Sequence, residues 1–444
     1  MNQSTISRKG FLKNSVLGLA GLALIPEMLN AQPSAREENV KRTAEADYLL
    51  KNVRLETGFE YEGDVVVATK TELFMVEVVQ GKIKKISANQ PDAKAIDAQG
   101  MLMLPSFRDM HIHLDKTYYG GPWKAVSRRS GGVKGMIALE QEILPGMFEH
   151  LPYRAEKLIE LMQSKGTSFT RSHVNIEPTS KLDSLKSLQK VLETRKNTFG
   201  TELVAFPQHG VFYTESAPYL KEAAQMGVDF IGGLDPYSID GSIERTVDFT
   251  VELALEHGKG IDIHFHESGE SGLKTIEYLI DKVNENPALK GKTFLSHCFI
   301  LGKLEKNKLE EVAEKLGAAQ IGIISTIPFG SLVMPIPLLW KHGVSVQAGN
   351  DSIIDHWNTF GSGSMLQKAN LAAQLYGYST ELELSRMLKL ATNGIIPLDD
   401  RGKQQWPKEG DDADMVFVEA SCSAEAVSRI SDVRSSIYKG TIIF

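Results

Sequence analysis

Four stretches of this chain place metal-capable side chains at the ends of short apolar runs, where a core would prefer apolar residues. They are His111-Ile112-His113, His264-Phe265-His266-Glu267, Ser296-His297 and Asn350-Asp351. Residues two apart on a strand point to one face, so His111 and His113 can share an ion. With His264 and Asp351 they make a set of three imidazoles and a carboxylate, a donor set that suits a first-row divalent metal. The only cysteines, Cys298 and Cys422, are far apart, so neither a disulfide framework nor a thiolate cluster is available. An ion held by such a set lowers the pKa of a bound water from about 15.7 toward about 7, which is the basis of hydrolysis at neutral pH.

These residues can meet only if the ends of distant strands converge. Eight apolar runs recur at Met101–Met110, Ser168–Ile176, Leu203–Gly210, Val228–Leu234, Ile261–His266, Thr293–Cys298, Gln320–Ile327 and Val344–Ala348. Most are followed by amphipathic stretches such as Leu182–Thr194 and Lys303–Leu316. Continuous apolar strands alternating with helices imply a parallel sheet covered on both faces. Eight units, without a Gly-x-Gly-x-x-Gly turn after the first, favour an α/β fold closed into a (β/α)8 TIM-type barrel over an open doubly wound sheet. The barrel is expected over residues 106–404, with its site at the carboxyl ends of the strands. Residues 46–105 read as short strands between Gly- or charge-rich turns, and residues 405–444 return to that texture. The two ends are expected to build one small flanking β module, a composite sandwich.

Composition narrows the function. Of 444 residues, 42% are hydrophobic and 24% charged, as in a soluble globular enzyme. A net charge of −7 with scattered Lys and Arg argues against a nucleic-acid partner. Residues 1–34 resemble a twin-arginine signal peptide: Arg8-Lys9 precedes an apolar run from Val16 to Ile25, then small residues near Ala31 and Ala35. Lys9 stands where a second arginine is usual. The run is too short for a stable membrane span. A cleaved leader and export to the periplasm or envelope are expected, the alternative being an uncleaved N-terminal helix on a cytoplasmic protein.

The motifs Met110-His-Ile-His-Leu-Asp-Lys-Thr117, Arg171-Ser-His-Val174, Val204-Ala-Phe-Pro-Gln-His-Gly210, Asp262-Ile-His-Phe-His-Glu267, Ser296-His297 and Gly349-Asn-Asp-Ser352 resemble the amidohydrolase superfamily. Within it they look most like the bacterial cytosine deaminase branch, from about Asp47 to the C-terminus. The resemblance implies that His111, His113, His264 and Asp351 hold one divalent ion, zinc or iron, with manganese also compatible. It implies Glu267 as proton shuttle, His297 beside the reactive water, Asp351 as proton acceptor, Gln208 as a grip on the heterocycle and Trp357 as a pocket wall. Two-metal relatives often carry a lysine at the end of the fourth strand. The run Val228–Leu234 offers none there, which favours one metal. Lys116 reads as an ordinary ion-pairing residue.

The implied reaction is hydrolytic deamination of a small amino-substituted nitrogen heterocycle. The substrate-reading positions depart from the branch: Ser352 replaces a second acid, His209 a glutamate, and Phe265-His266 a small residue and an acid. A different aminopyrimidine, a pterin, a triazine or a cyclic amide would fit the same skeleton, and a homo-oligomer is compatible with it. A third reading is an exported metal-containing binding protein without catalysis, against which Glu267 stands. Among the other residues, His173, His209 and His266 read either as site groups or as packing. His150, His257 and His342 read as solvent-facing, and Cys298 as turned into packing. Tyr118–Trp123 reads as an aromatic flap or an ordinary loop.

Overall fold

The computed structural model describes residues 47–444 except Arg128, so the expected leader lies outside the described residues. The first five strands are β1 (Tyr48–Glu62), β2 (Val65–Val79), β3 (Lys82–Ala88), β4 (Ile96–Asp97) and β5 (Leu102–Pro105). The barrel strands follow: β6 (Phe107–Ile112), β7 (Thr167–Asn175), β8 (Gly200–Phe206), β9 (Phe230–Leu234), β10 (Gly260–Phe265), β11 (Thr293–His297), β12 (Ile321–Ser325) and β13 (Val346–Ala348). The chain ends with β14 (Met415–Val418), β15 (Val433–Tyr438) and β16 (Thr441–Ile442).

Strands β6 to β13 lie side by side in sequence order, each parallel to the next. Every residue of β9, β10, β11 and β12 is buried, as a sheet covered on both faces requires. The covering helices are amphipathic. Gly269–Glu285 turns Thr275, Ile276, Leu279, Ile280 and Val283 inward at helical spacing. The helix Ile243–His257 begins where the Ser242 side chain accepts from the Arg245 N–H and ends at Gly258 in the left-handed region.

The barrel closes at its first and last strands. One parallel bridge joins Ile112 to Asp351; the Asp351 N–H donates to the His111 carbonyl at 2.7 Å and the His113 N–H to the Asp351 carbonyl at 3.1 Å. Gly349 permits this approach, because a Cβ there would lie 2.5 Å from the His111 backbone. The seam that closes the barrel is therefore also the frame that holds three of the four candidate ligands.

Both chain ends feed a second sheet, in the order β16-β15-β14-β5-β1-β2-β3, with β4 against β1. Its core gathers Leu50, Val53, Val76, Ile83, Met103, Met415, Phe417 and Ile437. The run Met101–Met110, a single strand by its apolar pattern, serves both sheets. It breaks at Ser106 into β5, antiparallel to β14, and β6 of the barrel. No helix among the described residues is long and apolar enough to cross a membrane.

Candidate metal centre

His111 lies in β6, His113 just beyond it, His264 in β10, and Asp351 just past β13 at φ 66°. One donor atom from each lies within 4.8 Å of all the others. Asp351 Oδ1 is 3.4 Å from His111 Nε2 and 3.3 Å from His113 Nε2. The opposite ring nitrogens are engaged: His111 Nδ1 with Ser296 Oγ at 2.9 Å, and His113 Nδ1 with the His173 carbonyl at 3.1 Å. That leaves Nε2 of each ring for a ligand, the arrangement metal-binding histidines adopt.

The donors fit a divalent ion. His111 Nε2 and both ring nitrogens of His264 are buried without a hydrogen-bond partner, a state that needs an unseen partner. Burial pushes His113 down to about 4 and His264 well below the ordinary histidine value. Both rings are therefore neutral at physiological pH, as ligation requires. Burial alone would raise Asp351, but the imidazoles of His111 and His113 set against it hold it well below the carboxylate range. The barrel interior supplies the support behind this cluster. Ser296 Oγ donates to Asp262 Oδ1 at 2.7 Å, and Asp262 Oδ2 accepts from Arg171 at 3.0 Å.

The other implied site residues divide. His297 closes β11 in left-handed backbone (φ 69°), with its ring 4.9 Å from that of His111 and stacked at 4.6 Å on His266. Burial and the neighbouring His266 push it well below its usual value. Burial would lower His266, but Asp235, 2.9 Å from its Nδ1, outweighs that and raises it. Glu267 anchors its carboxylate on the loop after β9. Oε1 accepts the N–H groups of Tyr237 at 2.7 Å and Ser238 at 2.9 Å, and Oε2 accepts Thr275 Oγ1 at 3.2 Å. Burial raises its pKa. Ser352 is buried beside Asp351.

Gln208 and Trp357 enter a polar cluster that the sequence did not reveal. Gln208 Oε1 accepts from Lys116 Nζ, and Trp357 Nε1 donates to Glu140 Oε2 at 2.8 Å. Lys116 is no ordinary ion-pairing residue: it is 1% exposed, and Glu140, 3.6 Å away, is wholly buried. Glu140 sits on the helix Gly132–Ile143 of the long loop after β6, where no local motif marks it.

The remaining histidines are only partly as read. His150 is exposed, but His257 and His342 are half-buried. His173 is buried and lends its carbonyl to His113, while His209 is buried with Nδ1 3.2 Å from Glu177. Cys298 is buried, yet it lies past β11 at φ 46° rather than within a strand, and burial pushes its thiol up. In the Tyr118–Trp123 stretch Tyr118 is buried and Trp123 stands exposed. Strand β9 ends at Leu234, followed by Asp235, so no lysine stands there.

Comparison with known proteins agrees with this fold. The model of the amidohydrolase family matches residues 173–444, which include His264 and Asp351. The uncharacterised protein YahJ of Escherichia coli (strain K12) is 48% identical over 411 residues, 91% of this chain and 89% of its own. Among solved structures, N-isopropylammelide isopropylaminohydrolase from Burkholderia multivorans superposes with a TM-score of 0.77 at 27% identity, over 89% of this chain and 97% of that one. 5-Methylcytosine deaminase from Klebsiella pneumoniae superposes with a TM-score of 0.74 at 26% identity, over 89% and 98%.

Proposed function

Because the chain belongs to the amidohydrolase family and is a hydrolase of carbon–nitrogen bonds, we propose that it releases the exocyclic amino group of a small nitrogen heterocycle as ammonia. The observation that carries this reading is the convergence of His111, His113, His264 and Asp351 within 4.8 Å, with buried imidazole nitrogens left unpaired. We take the resident group to be a single zinc or iron ion, manganese being compatible, since β9 ends without a lysine that could join a second. Such an ion supplies Lewis-acid activation of water at neutral pH.

The chain's own residues do the rest. Asp351 is ionised and placed against two of the imidazoles, so it can take a proton from the attacking water. Glu267, raised by burial, suits delivery of a proton to a ring nitrogen, which makes the attacked carbon electrophilic. As the carbon–nitrogen bond breaks, the proton held by Asp351 passes to the departing amine, and the hydroxyl proton on the attacked carbon returns to Glu267 as the carbonyl forms. His297, neutral and at the strand mouth, can hydrogen-bond the tetrahedral centre. The similar proteins named 5-methylcytosine deaminase and N-isopropylammelide isopropylaminohydrolase support this chemistry.

The test is ammonia release from a panel of aminopyrimidines, pterins and aminotriazines by protein loaded separately with zinc, iron and manganese. Turnover of at least one ring is expected. Ring opening of cyclic amides, with no amine released from any ring, would overturn the reading.

One observation favours a variant in which the leaving amine carries a substituent. A groove of about 830 Å³ opens beside Asp351, lined by Phe329, Phe360 and Leu371, and the two phenyl rings meet edge to face at 6.1 Å. An alkyl group on the leaving nitrogen would find apolar surface there. Chromatographic detection of alkylamine rather than ammonia from N-alkylated aminotriazines would decide for it.

A further inference from the structure

We propose that the groove beside Asp351 is a subsite for a carboxylate carried on the leaving nitrogen, with Lys368 as its counter-charge, so that the amine set free is an amino acid. This deepens the substituted-amine variant above and rests on it for the position of the ring beside the metal ligands.

The charge pattern of the groove comes first. Among the residues that line it, only Asp351 and Lys368 carry charge. Asp351 belongs to the ligand cluster. Lys368 stands on the helix Met365–Tyr376, which follows β13, and is half-buried. Its ammonium donates to the carbonyl of Thr326, a groove residue just past β12, at 2.8 Å. An ammonium has three donors, so two remain.

Neither nearby carboxylate takes them. Asp109 and Asp351 are close enough for their charges to act on Lys368, yet among the described residues Lys368 forms no ion pair. Asp109 is occupied elsewhere: it accepts the backbone N–H groups of Asn350 at 3.0 Å and His111 at 3.2 Å, and the Asn350 side-chain amide at 2.7 Å. Asp351 turns Oδ1 to His111 and His113. Burial pushes the pKa of Lys368 down, as for a cation short of solvent and counter-charge. Cations withdrawn from water are normally paired, and here the pocket leaves the partner to be supplied from outside.

The walls define the rest of the ligand. Phe329 and Phe360 are 63% and 68% exposed, and Leu371 and Ile430 continue the apolar lining. Methylene groups laid along these side chains would take apolar surface out of water. A short apolar chain ending in one negative charge therefore matches apolar walls with one uncommitted cation. A phosphate, with nearly two charges, would be under-compensated by a single ammonium and more strongly repelled by Asp351. The reaction needs no further reagent. Water gives its oxygen to the ring carbon and a proton to the nitrogen, the carbon–nitrogen bond breaks, and the nitrogen leaves as the amino group of the amino acid.

A matched pair of compounds tests the subsite. N-carboxyethylammelide and N-propylammelide differ only in a carboxylate or a methyl group at the end of the same chain. Each is given to the zinc-loaded full chain, with released amine identified by chromatography. Preference is read as kcat/KM, or as Kd by calorimetry where no amine is released. The carboxyethyl compound is expected to be favoured by at least about tenfold, the lower end for a charged hydrogen bond. Lys368→Met should abolish that preference, and Lys368→Arg, which restores a cation, should keep most of it. Equal preference for the two compounds, no binding of the carboxyethyl compound, or a loss in K368M shared equally by both, as for a lysine that merely holds the Thr326 carbonyl, would overturn the proposal. Lys368-dependent binding without release of any amine would instead remove the proposed reaction and leave the subsite standing.

Discussion

The hydroxyl of Ser296 sits 2.9 Å from Nδ1 of His111 while giving its own proton to Asp262. Ser296 can then only accept from His111, so the ring carries its proton on Nδ1 and keeps the Nε2 lone pair free. Ser296→Ala should lower metal affinity by about 10- to 100-fold, as loss of a group that orients a ligand does. Competition with a chelator measures it. Turnover per bound ion should change little.

Glu267 contributes no donor atom to the four-ligand cluster, and its carboxylate is steadied by two backbone N–H groups and Thr275. Glu267→Gln keeps the shape and an acceptor for those amides but cannot pass a proton. A fall in kcat of about 10²–10⁴-fold is expected, with metal content unchanged. Wild-type turnover by this variant would remove the acid–base role.

What could be read in advance follows the range of the forces involved. The barrel was legible because its strands are buried on both faces: β10 and β11 lie within one residue of the apolar runs Ile261–His266 and Thr293–Cys298. The candidate ligands were legible because each lies at or just past the end of such a run. The domain boundary at Ser106 was expected, but that Met101–Met110 is two strands was not legible, since a strand facing either sheet is equally apolar. Glu140 was also hidden. Its partners Lys116, His356 and Trp357 are 24, 216 and 217 positions away in the chain, and only the fold brings them together.

Asp115 carries a pH signature. Burial pushes its carboxyl up to about 6; Oδ2 accepts the Asn175 N–H at 2.9 Å, and Oδ1 has no partner. With a folded pKa above the unfolded one of 3.8, this group favours the fold fully below 3.8, and that contribution is lost as pH rises through about 6. Asp115→Asn keeps the Asn175 bond and cannot ionise. Its stability relative to wild type should therefore rise between about pH 4 and pH 7, by something on the order of 3 kcal/mol. Urea unfolding of the metal-free proteins at both ends of that window checks the sign. Asp109, also raised to about 6, is present in both proteins and cancels.

Arg171 joins the strength of the barrel to the quality of the metal site. Its guanidinium lies 3.9 Å from the Phe230 ring centroid and 4.3 Å from that of Phe294, with Nε on Glu202 at 2.9 Å and Nη1 on Asp262 at 3.0 Å. Asp262 is wholly buried. Arg171→Met leaves that carboxylate without its cation, a loss of about 3–5 kcal/mol in unfolding free energy. Arg171→Lys keeps the charge but not the planar stacking or the fork, so an intermediate loss is expected. Metal affinity should fall as well, because Asp262 is the acceptor that orients Ser296 toward His111. The double variant R171M/D262N separates the two effects. With both charges gone, stability should largely return, whereas a neutral amide behind Ser296 leaves His111 a weaker donor, so metal affinity should stay low.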